Sequence, residues 1–139
     1  MSARRFVDTH ILLYAKDASE PGKQPVAEAL MRELWQSRSG RISVQVLNEY
    51  FVNVTQKLDP GLTKDEAWGD MEALGAWEPQ SIDFDLLSLA FRIHGRYGLS
   101  WWDSLIVAAA VSLNCDEILS EDLSEEEVYE GIPVVNPFA

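Results

Sequence analysis

The chain has little cysteine, little histidine and no long apolar run. Its 139 residues include one Cys and two His, so Cys115 cannot form an intrachain disulfide and no zinc-binding pattern is present. The longest uninterrupted apolar stretch, residues 105–111, has seven residues, far short of the roughly 20 that a membrane-spanning helix needs. We therefore expect a cytoplasmic protein without a membrane segment.

Positive charge is missing from the last third of the chain. No Lys or Arg follows Arg96, whereas nine Asp and Glu residues do. The formal charge is −12, so the protein gains no general electrostatic attraction to nucleic acid. Two interpretations stay open. The acids could be spread over the surface and bind a basic partner, as a nucleic-acid mimic does, or some of them could converge on a cation that then meets a polyanionic substrate.

Segments with strand character alternate with helical segments along the chain. The length and the 47% hydrophobic content suit a single domain covering residues 1–139. The predicted strands are 4–8, 41–43, 80–82, 117–120 and 132–135. Besides a short helical segment after residue 8, the predicted helices are 25–37, 44–57, 64–78, 84–97 and 100–113. This alternation predicts a three-layer α/β/α sandwich with a central, mostly parallel sheet.

Two aspartates fall where such a sheet binds its ligands. Asp8 ends the first predicted strand and Asp122 lies just past the strand at 117–120, which places both at the carboxyl edge of the sheet. Two unit charges about 4 Å apart repel by roughly 4 kcal/mol at an effective dielectric constant near 20. Converging carboxylates therefore need a proton or a bridging cation, and oxygen ligands select hard ions such as Mg²⁺ or Mn²⁺.

Two further acids are predicted near the same edge, although the presence of each has a simpler structural explanation. Asp103 lies three residues after Ser100, a spacing typical of a capping box at a helix N-terminus. Glu49 lies in the second turn of its predicted helix and points away from the apolar stripe, as a solvent-facing glutamate does. The neighbouring Trp101 and Trp102 either pack at the start of the helix or stack on an unpaired base.

Taken in order, five segments resemble the PIN-domain metal-dependent ribonucleases, in particular the VapC-type toxins of toxin–antitoxin pairs. No single segment is specific, but the ordered set covers the chain from end to end. The segments are F-V-D-T-H-I-L-L-Y-A at 6–15, I-S-V-Q-V-L-N-E at 42–49, Y-G-L-S-W-W-D-S-L-I-V-A-A-A at 97–110, I-L-S-E-D-L at 118–123 and V-V-N-P-F at 134–138.

The resemblance implies an acidic site and a reaction. The acidic quartet of the family corresponds to Asp8, Glu49, Asp103 and Asp122, which would bind Mg²⁺ or Mn²⁺ and hydrolyse RNA phosphodiester bonds. Three neighbouring positions also belong to the pattern: Ser120 at the usual Ser/Thr position, Glu121 as a fifth acid, and His10 where many members have Asn. We interpret His10 as a hydrogen-bonding or packing residue and not as a general base.

The resemblance also implies partners. VapC-type toxins bind a cognate antitoxin, whose basic, partly disordered tail can cover an acidic face. They are commonly homodimers. We therefore expect an RNA substrate, an antitoxin and a second copy of the chain as binding partners.

Overall fold

The computed structural model describes residues 3–124 and 127–139. The helices within these residues are α1 (Thr9–Tyr14), α2 (Gln24–Ser37), α3 (Val44–Gln56), α4 (Lys64–Leu74), α5 (Phe84–Tyr97) and α6 (Trp101–Ser112). The strands are β1 (Arg5–Val7), β2 (Gly40–Arg41), β3 (Glu117–Leu119), β4 (Val128–Tyr129) and β5 (Ile132–Val135). A single 3₁₀ turn, Gly75–Trp77, extends α4.

The strands form one sheet in the order β2-β1-β3-β5-β4. All neighbouring pairs are parallel except β4 with β5, and Phe6 of β1 lies opposite Arg41 on one side and Ile118 on the other. Helix α1 packs against α2 and α3, and α5 packs against α6. The fold is therefore the expected α/β/α sandwich with a mostly parallel sheet. Because β1, β2 and β3 run in the same direction, the segments that follow them emerge at one edge.

Local sequence explains the most regular helices. Helix α6 is apolar on nearly all sides, and every residue from Ser104 to Ala110 is buried, as expected for a helix without a polar face. Thr63 and Glu66 form the capping box that begins α4, with each side chain bonded to the other residue's backbone N–H. No helix in the described part of the chain is long and apolar enough to cross a membrane.

Two predicted strands differ in detail from the structure, and one strand was not predicted. The strand predicted at 80–82 is reduced to one parallel bridge between Gln80 and Ser43, because its continuation is exposed and has no partner strand. The strand predicted at 41–43 corresponds to β2, which ends at Arg41, since Ser43 already caps α3. Strand β4 was not predicted, and it pairs antiparallel with β5 across a tight turn.

Candidate functional site

Asp8 is the buried centre of the carboxyl edge. It follows β1, caps the N-terminus of α1, and is only 5% exposed. Its Oδ1 accepts a hydrogen bond of 2.8 Å from the backbone N–H of Thr9, and its Oδ2 accepts one of 2.7 Å from the Ser120 hydroxyl. Both carboxylate oxygens are therefore held in fixed directions by the two segments that follow β1 and β3.

The surroundings of Asp8 disfavour its charged form. Burial is the main cause, and the charges of Asp122 and Glu49 add to it, whereas the hydrogen bonds from Ser120 and Thr9 oppose it. Together they raise the pKa of Asp8 from 3.8 to about 6. Both acids lie near Asp8 because Asp122 shares the Ser120 hydroxyl with it and Glu49 is bonded to the adjacent Thr9.

Ser120 organises the turn that carries Asp122. Its hydroxyl is fully buried, donates to Asp8, and accepts bonds of 3.1 Å from the backbone N–H groups of Asp122 and Leu123. The Asp122 side chain is about half exposed, and its Oδ2 lies 2.7 Å from Nδ1 of His10. His10 therefore lies beside an acid of the candidate site, although its buried Nδ1 forms no hydrogen bond with the described residues.

Glu49 is held at the same edge by two polar side chains. Its Oε2 accepts a 3.3 Å bond from the Thr9 hydroxyl, and its Oε1 accepts a 3.0 Å bond from Nε2 of Gln45. The glutamate is exposed, as its position on α3 predicted. However, it is not a free surface side chain, because Thr9 ties it to the residue next to Asp8.

Asp103 is connected to Asp8, Asp122 and Glu49 less directly. Its backbone N–H donates to the Ser100 hydroxyl at 3.1 Å, so Ser100 is the helix cap that the sequence predicted. The reciprocal bond of a full capping box is not present among the described residues. The carbonyl of the preceding Trp102 accepts a 3.2 Å bond from Gln45, which ties the start of α6 to α3. Trp101 packs against the core, whereas the Trp102 side chain is 65% exposed.

Glu121 is engaged elsewhere. Its Oε1 accepts a 2.6 Å bond from the Tyr14 hydroxyl, and its Oε2 pairs with Nζ of Lys23 at 2.7 Å. Burial acts to raise the pKa of Glu121, but the bonds from Lys23 and Tyr14 outweigh it and lower that pKa. The same contacts raise the pKa of Lys23, which also lies 4.6 Å from the centre of the Tyr14 ring. Glu121, the fifth acid of the family pattern, therefore links the turn after β3 to Tyr14 and Lys23 and does not face Asp8.

The donor atoms of this edge suit a hard cation. The acids offer only oxygen, the ligand type that Mg²⁺ and Mn²⁺ prefer, and a cation would relieve the raised pKa of Asp8. Among residues 3–124 and 127–139, however, no three His, Cys, Asp or Glu side chains lie together closely enough to hold a metal ion. The chemistry of the site fits a divalent ion, whereas a shared ion requires the acidic side chains to move towards one another.

The structure therefore brings three of the four predicted acids into one electrostatic group: Asp8, Asp122 and Glu49. The charge of Asp103 acts on Tyr129 instead. Burial raises the pKa of Tyr129, and the charges of Glu127 and Asp103 add to this effect.

The sequence analysis missed Gln45, which no motif singles out. Its only distinguishing feature in the sequence is a polar side chain between two apolar residues, one turn before Glu49.

Comparison with known proteins shows the family of the chain. The family model of the PIN domain matches residues 5–130, and the chain belongs to the PIN-domain family. Comparison with curated protein sequences gives no significant match.

Solved structures share the fold at low sequence identity. A structure of FitAB bound to an IR36 DNA fragment matches with a TM-score of 0.70 and 15% identity, covering 97% of this chain and 96% of that chain. VapC20 of Mycobacterium tuberculosis, a toxin that cleaves the sarcin–ricin loop, matches with a TM-score of 0.64 and 18% identity, over 93% and 98%. VapBC2 of Rickettsia felis, bound to a DNA fragment from its promoter, gives a TM-score of 0.60 and 15% identity, over 95% and 97%.

Proposed function

We propose that this PIN-domain protein is a metal-dependent endoribonuclease and the toxin of a toxin–antitoxin pair. The observation that carries the proposal is the buried Asp8, whose pKa is raised by burial and by the nearby charges of Asp122 and Glu49. Burial outweighs the two hydrogen bonds that Asp8 accepts, so a neutral side chain would be less costly there and the fold needs a reason to keep a carboxylate. Cation binding is such a reason. The similarity in fold to VapC20, a toxin that cleaves RNA of the sarcin–ricin loop, supports RNA as the substrate.

The proposed roles follow from the resemblance to the acidic quartet of the family. Asp8, Asp103 and Asp122 would hold Mg²⁺ or Mn²⁺, and Glu49 would orient the attacking water or hold a second ion. When bound, the cation would lower the pKa of water and offset charge on the phosphate. The Ser120 hydroxyl and the Thr9 backbone N–H keep the Asp8 carboxylate oriented before any ion or substrate arrives. The exposed ring of Trp102, next to Asp103, offers a surface on which an unpaired base can stack.

An RNA cleavage assay tests the proposal. Wild-type protein should cleave total RNA or a structured RNA only in the presence of Mg²⁺ or Mn²⁺, and Asp8→Asn should abolish cleavage while the protein stays folded. Asp17→Asn, at an aspartate of the loop between α1 and α2, is the matched control and should keep full activity. Cleavage by Asp8→Asn at the wild-type rate would remove the assignment.

The cleavage assay and a thermal melt with Mn²⁺ together separate the two interpretations of the negative charge. If the wild-type protein neither cleaves RNA nor gains thermal stability from low millimolar Mn²⁺, the acidic binding module is the better description.

We propose that a cognate antitoxin covers the carboxyl edge. The chain after Arg96 contains only acidic charges, so a basic segment of a partner would be attracted to it. VapBC2, which shares the fold, was solved on DNA from its promoter. A small reading frame beside this one should encode a protein that co-purifies with the chain and inhibits cleavage. Its absence would contradict the toxin role and leave the nuclease role unaffected.

We also propose that the protein forms a homodimer through α5. Phe84 and Phe91 lie seven residues apart on this helix, hence on one face, and are 79% and 69% exposed. If two α5 helices pack antiparallel about a twofold axis, Phe84 of one copy meets Phe91 of the other, and Asp85 meets Arg92. Neither Asp85 nor Arg92 has an ion-pair partner within the described residues. Sedimentation should show a dimer that Phe91→Asp dissociates, and a wild-type monomer would contradict this arrangement.

A further inference from the structure

Gln45 is a buried polar residue placed between two parts of the candidate site. It lies in the first turn of α3 and is only 6% exposed. Its amide nitrogen donates to Oε1 of Glu49 at 3.0 Å and to the carbonyl of Trp102 at 3.2 Å. Both amide hydrogens are thus used. One goes to an acid of the site, and the other goes to the residue that precedes Asp103.

We propose that Gln45 is a positioning residue, which fixes the carboxylate of Glu49 relative to the start of α6. The inference rests on the proposed function. Of the two bonds that hold Glu49, the one from Thr9 is longer, at 3.3 Å. Without Gln45, Glu49 loses the shorter bond and gains rotamer freedom, because the side chain is otherwise exposed. A misplacement of about 1 Å near a reacting centre can cost on the order of 100-fold in rate.

The effect on folding should be small. Gln45→Met keeps the length of the side chain and removes the amide group, with the two bonds that its nitrogen donates. Glu49 can replace the lost bond with water because it is exposed. A change in catalysis without a comparable change in stability is therefore the mark of a positioning role.

The test compares steady-state cleavage of one RNA by wild-type protein and Gln45→Met. We expect kcat to fall about 10- to 100-fold, the range seen when supporting hydrogen bonds of a site are removed, while KM stays within a factor of about two. Gln56→Met makes the same chemical change at an exposed position near the end of α3, and it should retain wild-type kcat. If Gln45→Met fails to fold, Gln45→Asn takes its place, because the shorter amide cannot reach both acceptors.

A double-mutant cycle with Glu49 decides whether Gln45 acts through that residue. In a Glu49→Ala background, Gln45→Met should cause no further loss of kcat, because the group that it positions is gone. An equal loss in both backgrounds, or wild-type kcat in Gln45→Met, overturns the inference while the wild-type activity still supports the proposed function. A wild-type protein with no metal-dependent cleavage overturns both.

Discussion

Replacing Asp8 by Asn should make the protein more stable at neutral pH, although it removes the residue most central to the proposed activity. The pKa of Asp8 is raised from 3.8 to about 6, mainly by burial. The folded state therefore binds the proton more tightly than the unfolded state, and stability falls as pH rises through this window. The full shift corresponds to about 3 kcal/mol above pH 6. Asn carries no charge and remains a good N-cap, so it avoids this cost.

The measurement is urea unfolding of both proteins from pH 4 to pH 7, without divalent ions. The difference in unfolding free energy, Asp8→Asn minus wild type, should rise by about 2 kcal/mol between pH 4 and pH 7, because part of the full shift already lies below pH 4. Any fixed effect of the Ser120 contact shifts the whole curve and leaves this rise unchanged. Asp65→Asn, at an exposed position of α4, should show no such rise. A flat difference for Asp8→Asn would refute the claim that the cost of burying the carboxylate exceeds the benefit of its two hydrogen bonds.

Further predictions concern the scaffold and are checked by urea unfolding. A methyl group at Gly40 would lie 2.6 Å from Cζ2 of Trp77, so Gly40→Ala should cost about 1–3 kcal/mol; a fully stable variant would contradict the packing. Gly69 lies in α4 with open space around it, so Gly69→Ala should instead stabilise by about 0.5–1 kcal/mol. Tyr50→Phe removes a 2.6 Å bond to Asp70 and should cost about 1–2 kcal/mol; no loss would show that the bond contributes nothing.

Local sequence patterns were sufficient to predict most elements of the fold. The capping residues Thr63 and Ser100 begin helices as expected, and Gly98 ends α5 with a left-handed φ of 68°. Such features depend on a few neighbouring residues, so a single sequence reveals them. The α/β/α architecture follows from the alternation of elements. That residues 1–139 form a single domain stays a prediction.

The β4–β5 hairpin was missed because its turn is unusual. Glu130 and Gly131 both have positive φ, at 52° and 81°, as a two-residue hairpin turn requires. Asn or Asp usually precedes the glycine in such turns, and here the residue is Glu. Its position is fixed by distant contacts instead: the backbone N–H of Glu130 donates to the Tyr97 hydroxyl, and its carboxylate pairs with Arg96.

The candidate site was only partly predictable, because its contacts also join residues that are distant in the sequence. Asp8 and Asp122 could be placed at one edge from strand order alone. The partners of Glu49 could not be, since they depend on how α3 meets the start of α6. Likewise, Glu121 matches the pattern of the family, but its bond to Lys23 depends on the path of the loop before α2. Tertiary packing decides which acid faces the site.

We propose that the buried carboxylate of Asp8 binds a divalent cation together with neighbouring acids. Anomalous diffraction from crystals soaked in Mn²⁺ tests this binding. We expect a manganese peak in contact with Asp8 and at least one of Asp122, Glu49 and Asp103, and no such peak in Asp8→Asn crystals. Full occupancy at other acids, with none beside Asp8, would contradict it.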